Sequence, residues 1–225
     1  MIQQFQENGY EIVEFEEVAD IYIINTCTVT NMSDRKSRQI LRQAKKNNPN
    51  ALVVAVGCYV QVARNELEKI PEIDLCFGTN EKINIVKNIE ENIKDNMDEV
   101  LYNSNYGDFG CVTYTEKTRA VVKVQDGCDR FCSYCIIPYA RGRVRSRKPS
   151  SIIDEITAIA QKGIKEVVIT GIHVASYGKD FKEEYKLIDL LEEINKIDGI
   201  ERIRLRINRT ITIIRRIYQK TCKIE

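Results

Sequence analysis

Ala120-Val-Val-Lys-Val-Gln-Asp-Gly-Cys128-Asp-Arg-Phe-Cys132-Ser-Tyr-Cys135 is the stretch that decides how the chain is interpreted. Four of its first five residues are apolar and three of them are the β-branched residue valine, which predicts a strand. Three closely spaced cysteines follow directly. Ligands in parallel α/β proteins lie beyond the carboxyl ends of the strands. A cysteine loop at that position therefore predicts a metal site.

Three thiolates suit a [4Fe–4S] cluster with one iron left open. In radical enzymes, such an open iron chelates the amino and carboxylate groups of S-adenosylmethionine. Zinc is the alternative, but a zinc site usually takes four ligands, often as two pairs of cysteines. The single histidine of the chain, His173, lies far from the trio in sequence. We therefore favour the cluster and keep zinc as the competing interpretation.

Strand and helix signals alternate through the first part of the chain, which predicts a parallel α/β sheet. We expect residues 1–95 to form a Rossmann-like or flavodoxin-like domain. The predicted strands are 21–25, 52–56 and 73–77, and the predicted helices are 1–8, 33–46, 65–70 and 81–94.

A second α/β region follows residues 96–118, which have no clear period and are predicted to be a linker. It covers residues 119–205. Strands are predicted at 120–124, at 166–170 and from Ile203, and helices at 151–162 and 187–196. These units are fewer than a closed (β/α) barrel needs. We therefore expect the start of a partial barrel.

Cysteine content, apolar runs and net charge limit the locations and partners that the chain can have. The first residues lack the basic start and apolar middle of a signal peptide, so a cytoplasmic location is expected. Eight cysteines in a cytoplasmic chain favour metal chemistry over disulfides. No apolar run is long enough to span a membrane, so no membrane partner is expected. The net charge of +1 leaves nucleic-acid binding to a local basic patch.

Three segments resemble the radical S-adenosylmethionine methylthiotransferase family. Residues 124–143 and 166–178 resemble its radical core, whereas residues 23–39 resemble the subfamily that modifies threonylcarbamoyladenosine beside the tRNA anticodon. The resemblance implies two [4Fe–4S] clusters, S-adenosylmethionine, tRNA, and an electron donor of the flavodoxin or ferredoxin type. It implies that Cys128, Cys132 and Cys135 hold the radical cluster, and that Tyr134 and Gly171 lie at the cofactor. His173 is a further candidate for cofactor contact, with a polar surface residue as the alternative.

Cys27 and Cys58 each follow a predicted strand, and the resemblance implies that they hold the auxiliary cluster. A third ligand is expected in a Leu-Gly-Cys-type turn, and the 225 residues contain no such turn. Cys76 lies inside a predicted strand and is interpreted as a core residue.

Four alternating arginines, Arg141, Arg143, Arg145 and Arg147, form a dense basic run. In an extended segment they would share one face and could bind tRNA phosphates. A solvated charged loop is the alternative.

We therefore expect an enzyme that transfers a methylthio group to carbon 2 of N6-threonylcarbamoyladenosine at position 37 of tRNA. Two alternatives stay open: a methylthiotransferase acting on isopentenyladenosine tRNA or a ribosomal protein, and a non-catalytic iron–sulfur or zinc-binding fragment.

We also expect an incomplete chain. The family's opening strand and the rest of the barrel are absent from the 225 residues. Residues 206–225 lack glycine, proline and a clear helical or alternating period. When residues 206–210 are reverse-translated and read one base later, they can encode the Gly-Ser-Ile-Glu-Pro turn of the family. That pattern predicts a frameshifted tail, with little methylthiolation from this chain alone.

Overall fold

The computed structural model describes residues 1–91, 100–101, 106–107 and 118–206. The chain forms two compact units. The first contains Met1–Asn103 and Arg130–Gly142, and the second contains Ser104–Asp129 and Arg143–Glu225. The segment 130–142, predicted as part of the radical core, is thus grouped with the first unit. Most of the predicted linker and all of the predicted frameshifted tail after Arg206 lie outside the described residues.

The first unit contains a parallel three-stranded sheet in the order β1-β2-β3. Its strands are β1 (Ile21–Thr26), β2 (Leu52–Gly57) and β3 (Leu75–Phe77). Its helices are α1 (Ile2–Glu7), α2 (Asn31–Asn47), α3 (Cys58–Leu67), the 3-10 helix Glu81–Asn84, α4 (Ile85–Glu90) and α5 (Ile137–Arg141). The predicted parallel α/β class is confirmed.

The apolar run of β2 is explained by burial on both faces of the sheet. Val53 and Ala55 pack into one hydrophobic cluster, while Val54 and Val56 pack into another. All four are fully buried. A strand covered on both sides has no polar face, so its sequence shows no alternation.

The second unit contains a four-stranded sheet in the order β5-β4-β6-β7. Its strands are β4 (Arg119–Asp126), β5 (Arg145–Ser146), β6 (Glu166–Gly171) and β7 (Arg202–Leu205), and its helices are α6 (Pro149–Gln161), the 3-10 helix Val174–Ser176 and α7 (Leu187–Ile194). Strands β4, β6 and β7 are parallel, as at the start of a (β/α) barrel, whereas β5 pairs antiparallel with β4.

Helix α6 covers this sheet with a regular apolar stripe. Ile152, Ile156 and Ile159 recur at spacings of four and three residues and are buried against Val122 and Val167. This spacing places the three isoleucines on one face of the helix. Within the described part of the chain, no helix is long and apolar enough to cross a membrane.

Several element boundaries differ from the sequence prediction. Helix α3 begins at Cys58 rather than at Asn65, because Gly57 adopts φ +107° and turns the chain directly from β2 into the helix. Helix α2 begins two residues before the predicted start, where the Thr30 hydroxyl accepts a hydrogen bond from the Ser33 amide. The predicted helix 81–94 begins as a 3-10 turn, and its last three residues lie outside the described part.

Candidate metal centre

The cysteine trio begins just past the carboxyl end of β4. Gly127 separates the strand from Cys128 and has φ +71°, which lets the chain turn out of the sheet. Cys128 belongs to the second unit, and Cys132 and Cys135 belong to the first. The amide of Cys135 donates a hydrogen bond to the carbonyl of Cys132 at 2.9 Å, so these two residues share a tight turn.

All three thiols are free and partly exposed. Among the residues that the structure describes, no group of three His, Cys, Asp or Glu side chains converges on a single ion. A cubane cluster does not require such convergence, because each sulfur ligates a separate iron at a different corner. The donor set, three reduced cysteines and no imidazole, fits the ligands that iron–sulfur clusters take. The assignment of the trio as ligands stays a prediction.

Gln125 is a residue that the sequence analysis missed. It is fully buried at the end of β4. Its amide nitrogen donates to the carbonyl oxygens of Asp126 (2.6 Å) and Gly127 (2.8 Å), and its Oε1 accepts from the amide of His173 (2.7 Å). The Gln125 side chain is thus hydrogen-bonded both to the turn before Cys128 and to the loop that follows β6. The available signal was a glutamine at the end of the predicted strand, shortly before the cysteine loop.

The predicted cofactor residues of the second unit lie around Gln125. A β-carbon on Gly171 would come within 2.7 Å of the Gln125 carbonyl oxygen, so close packing alone explains this glycine. Nδ1 of His173 shares a hydrogen bond with the Ser176 hydroxyl at 2.5 Å. In the first unit, Tyr134 is 81% exposed, so packing does not explain this aromatic residue. The roles of these residues toward S-adenosylmethionine stay predictions.

Cys27 and Cys58 each follow a strand at the carboxyl edge of the first sheet. The register pairs Thr26 with Gly57, the last residues of β1 and β2, and a cysteine directly follows each of them. Cys27 is exposed, whereas Cys58 is 7% exposed. A β-carbon on Gly57 would lie 2.8 Å from the Thr26 carbonyl oxygen, which explains why a glycine precedes Cys58.

Cys76 differs from these two cysteines in position and chemistry. It lies within β3, opposite Ala55 of β2. Burial raises the pKa of its thiol to about 11, and the carboxylate of Glu68 adds to this shift. The raised pKa makes the thiolate, which is the form that ligates metals, harder to form here than at an ordinary cysteine. This agrees with its interpretation as a core residue.

The four arginines of the basic run do not share one exposed face. Arg145 and Arg147 are 2% and 4% exposed. The guanidinium of Arg147 pairs in the interior with Glu155 of α6. Nε of Arg141 donates to Sγ of Cys58 at 2.9 Å. The prediction of one phosphate-binding face is corrected accordingly, because local ion pairing and burial decide where these side chains point.

Arg143, in contrast, has a largely exposed side chain that a ligand in solution can reach. Its side chain is 63% exposed, and Nη1 lies 3.8 Å from Oδ1 of Asp129, which is itself half-exposed. A surface ion pair of this kind contributes little to stability and opens readily.

Two family models match the chain. Residues 1–78 match uncharacterized protein family UPF0004, and residues 122–220 match the radical SAM superfamily. The first match contains Cys27 and Cys58, and the second contains the cysteine trio.

Curated relatives match most of the chain. It is 47% identical over 207 residues to threonylcarbamoyladenosine tRNA methylthiotransferase MtaB of Aquifex aeolicus, covering 90% of this chain and 50% of that protein. The protein of the same name from Bacillus subtilis is 39% identical, with 90% and 46% covered. A tRNA-2-methylthio-N6-dimethylallyladenosine synthase of Clostridium novyi is 37% identical, with 87% and 45% covered. The chain thus spans about half the length of these relatives.

Similarity to a solved structure is weak. The radical S-adenosylmethionine methyltransferase TsrM of Kitasatospora setae, solved with cobalamin and a [4Fe-4S] cluster, superimposes with a TM-score of 0.49 and 19% identity. The superposition covers 80% of this chain and 42% of that one.

Proposed function

Since the chain belongs to the radical S-adenosylmethionine methylthiotransferase family, we propose that it carries the radical half of a tRNA-modifying enzyme. Members of this family use [4Fe–4S] clusters and S-adenosylmethionine. The observation that carries the proposal is the trio Cys128, Cys132 and Cys135, which follows β4 within the region matched by the radical SAM model.

The substrate we propose is N6-threonylcarbamoyladenosine in tRNA, with carbon 2 of the base as the acceptor of the methylthio group. Two observations support this choice over isopentenyladenosine. Residues 23–39 resemble the threonylcarbamoyladenosine subfamily, and the relatives with that name are 47% and 39% identical, against 37% for the dimethylallyladenosine enzyme. A cytoplasmic location follows from the tRNA substrate.

The mechanism assigns separate tasks to the residues of the chain. Cys128, Cys132 and Cys135 would hold the radical cluster, which would supply the electron for cleavage of a C–S bond of S-adenosylmethionine. Gln125 fixes the turn before Cys128 and the loop containing His173. Cys27 and Cys58, at the edge of the first sheet, would supply two of the ligands of an auxiliary cluster. An external donor of the flavodoxin or ferredoxin type supplies electrons.

The substrate proposal is tested by following hydrogen abstraction, which requires the radical site and the base. The anaerobically reconstituted chain is given S-adenosylmethionine, dithionite and tRNA deuterated at carbon 2 of the modified adenosine. We expect 5′-deoxyadenosine to form and to contain deuterium with threonylcarbamoyladenosine tRNA.

If deuterium instead appears in 5′-deoxyadenosine only when isopentenyladenosine tRNA is supplied, the alternative substrate is favoured. Metal analysis separates the remaining interpretations. Zinc without sulfide, or iron without release of 5′-deoxyadenosine, would contradict the enzymatic assignment.

A second prediction concerns the contact with tRNA. Replacing Arg143 by alanine should weaken tRNA binding and flatten the dependence of the logarithm of the binding constant on that of the salt concentration. The expected change in slope is roughly 0.7–0.9 for one lost phosphate contact. Arg202→Ala is the matched control, because Arg202 lies at the start of β7 and pairs with Glu166. Equal slopes for the Arg143 variant and the parent chain would remove Arg143 from the interface.

A further inference from the structure

Two aromatic side chains of the first unit meet at its surface, one within the cysteine loop and one just after it. Phe131 directly precedes Cys132, and Tyr139 lies in α5. Their rings meet edge to face, with centroids 6.0 Å apart and planes at 86°. Phe131 is 39% exposed and Tyr139 is 53% exposed. Single apolar residues at a surface are ordinary, but two large rings in contact form a surface suited to a planar ligand.

The backbone of Phe131 has a conformation that aromatic residues rarely adopt. Its φ is +43°, the only positive φ at a non-glycine residue in the part of the chain that the structure describes. In this left-handed region a β-carbon crowds the following carbonyl oxygen, so glycine is favoured. Strain of this kind is concentrated at ligand-binding and active sites. The position thus carries a large ring at a cost in free energy, although a glycine would make the same turn without it.

Tyr139 is presented by a helix that is fixed to the rest of the first unit. The next residue, Ala140, is 2% exposed, and its carbonyl accepts a hydrogen bond from the Thr79 hydroxyl at 2.8 Å. Arg141, the last residue of α5, donates from Nε to Sγ of Cys58 at 2.9 Å. A side chain on a backbone fixed in this way loses less conformational freedom when a ligand binds.

The charge around the two rings suits a negatively charged ligand. Residues 130–142 contain two arginines and no acidic residue, whereas the whole chain is balanced, with 34 basic and 33 acidic residues. Arg130, directly before Phe131, is exposed. Proteins bind unpaired RNA by stacking its bases on aromatic side chains while cations contact its phosphates. Exposed rings next to an exposed arginine match that combination.

We propose that Phe131 and Tyr139 form a stacking platform for an unpaired base of the tRNA loop that contains the modified adenosine. The proposal rests on the proposed function, in which this loop is the substrate. Enzymes that modify a base take it out of the base stack, and stacking on protein rings offsets part of that loss. Tyr134 lies in the same loop but is assigned to S-adenosylmethionine by the family resemblance, so it is not part of the platform.

The platform is tested by equilibrium binding of the 225-residue chain to two labelled RNA probes, followed by fluorescence anisotropy. One probe is a hairpin with the anticodon loop, and the other is a fully paired duplex with the same number of phosphates. Tyr139→Leu should weaken binding to the hairpin by about tenfold, as expected for one lost stacked base. Binding to the duplex should not change, because paired bases offer no free face. Phe131→Leu should act in the same direction.

The salt dependence separates stacking from phosphate contact. A lost stacked base should lower the binding constant at every salt concentration and leave the slope of its logarithm unchanged, whereas a lost phosphate contact flattens that slope. Tyr139→Phe keeps the ring, and we expect it to bind the hairpin like the parent chain. Ile2→Ala is the matched control, because Ile2 is an apolar side chain of the same unit that is 51% exposed.

Equal affinities of the parent chain and both leucine variants for the hairpin would overturn the platform. An equal loss on hairpin and duplex would also overturn it, because the rings would then contact RNA without stacking. Unchanged hairpin binding with a higher requirement for S-adenosylmethionine would assign the rings to the adenine of the cofactor instead.

The proposed function fails separately, because transfer of deuterium to 5′-deoxyadenosine is measured in a different experiment. Selective hairpin binding without that transfer would contradict the proposed reaction and leave the platform in place. Failure of the parent chain to bind the hairpin would overturn both the platform and the tRNA substrate.

Discussion

Cys132→Ala is expected to abolish the formation of 5′-deoxyadenosine from S-adenosylmethionine. Three thiolates hold three irons of the radical cluster, and removing one leaves two ligands for a cube with two open corners. The backbone turn should survive, because the contact that closes it joins the Cys135 amide to the Cys132 carbonyl and does not involve the thiol. The loss therefore tests ligation and not folding.

The measurement is chromatographic quantification of 5′-deoxyadenosine after anaerobic reconstitution and reduction with dithionite. Cys76→Ala is the matched control, because it removes a thiol from the core of the first unit whose pKa is raised to about 11 by burial. We expect the Cys76→Ala control to cleave S-adenosylmethionine at the parent rate and Cys132→Ala to cleave none. Cleavage by Cys132→Ala at the parent rate would remove the trio from the radical site.

The sheets could be predicted from the sequence because their signals are local. An apolar run such as 52–56 reports burial on both faces of a strand, and the structure confirms β2 at Leu52–Gly57. The neighbouring positions of Cys27 and Cys58 follow from the same logic, since the carboxyl ends of adjacent parallel strands share one edge. The register of Thr26 with Gly57 agrees with this placement.

The contacts of the arginine side chains could not be predicted, because their partners are distant in sequence or belong to another element. Arg141 contacts Cys58, which lies 83 positions earlier. Arg147 contacts Glu155 on α6, eight positions later. An alternating pattern gives the direction of side chains only while the segment stays extended, and here α5 ends at Arg141 and β5 is limited to Arg145–Ser146.

The ion pair of Arg147 with Glu155 connects the basic run to the interior of the second unit. Each side chain is 5% exposed. Nη2 of Arg147 also donates to the Ser151 hydroxyl at 2.9 Å, and the Tyr177 hydroxyl donates to the Arg147 carbonyl at 2.9 Å. Burial raises the pKa of Tyr177 above its ordinary value, which favours the protonated hydroxyl that donates this hydrogen bond.

Glu155→Leu should destabilise the chain by about 3–5 kcal/mol, because it leaves the buried Arg147 guanidinium without this carboxylate. The double variant Arg147→Met, Glu155→Leu should recover most of that loss, since two apolar side chains of similar volume replace both charges. Urea unfolding followed by circular dichroism measures the difference. Glu201→Leu is the control, because it removes a carboxylate from an exposed pair with Lys165 and should cost less than about 1 kcal/mol.

The double variant shows whether Glu155→Leu destabilises the chain by leaving a buried charge unmatched or by loss of packing. If burial of an unmatched charge is the cause, the double variant is more stable than Glu155→Leu alone, although it carries one more substitution. If Glu155→Leu unfolds at the urea concentration of the parent chain, the pair does not stabilise the second unit. In that case Arg147 can leave the interior at little cost, and its predicted contact with tRNA phosphate would have to be tested alongside that of Arg143.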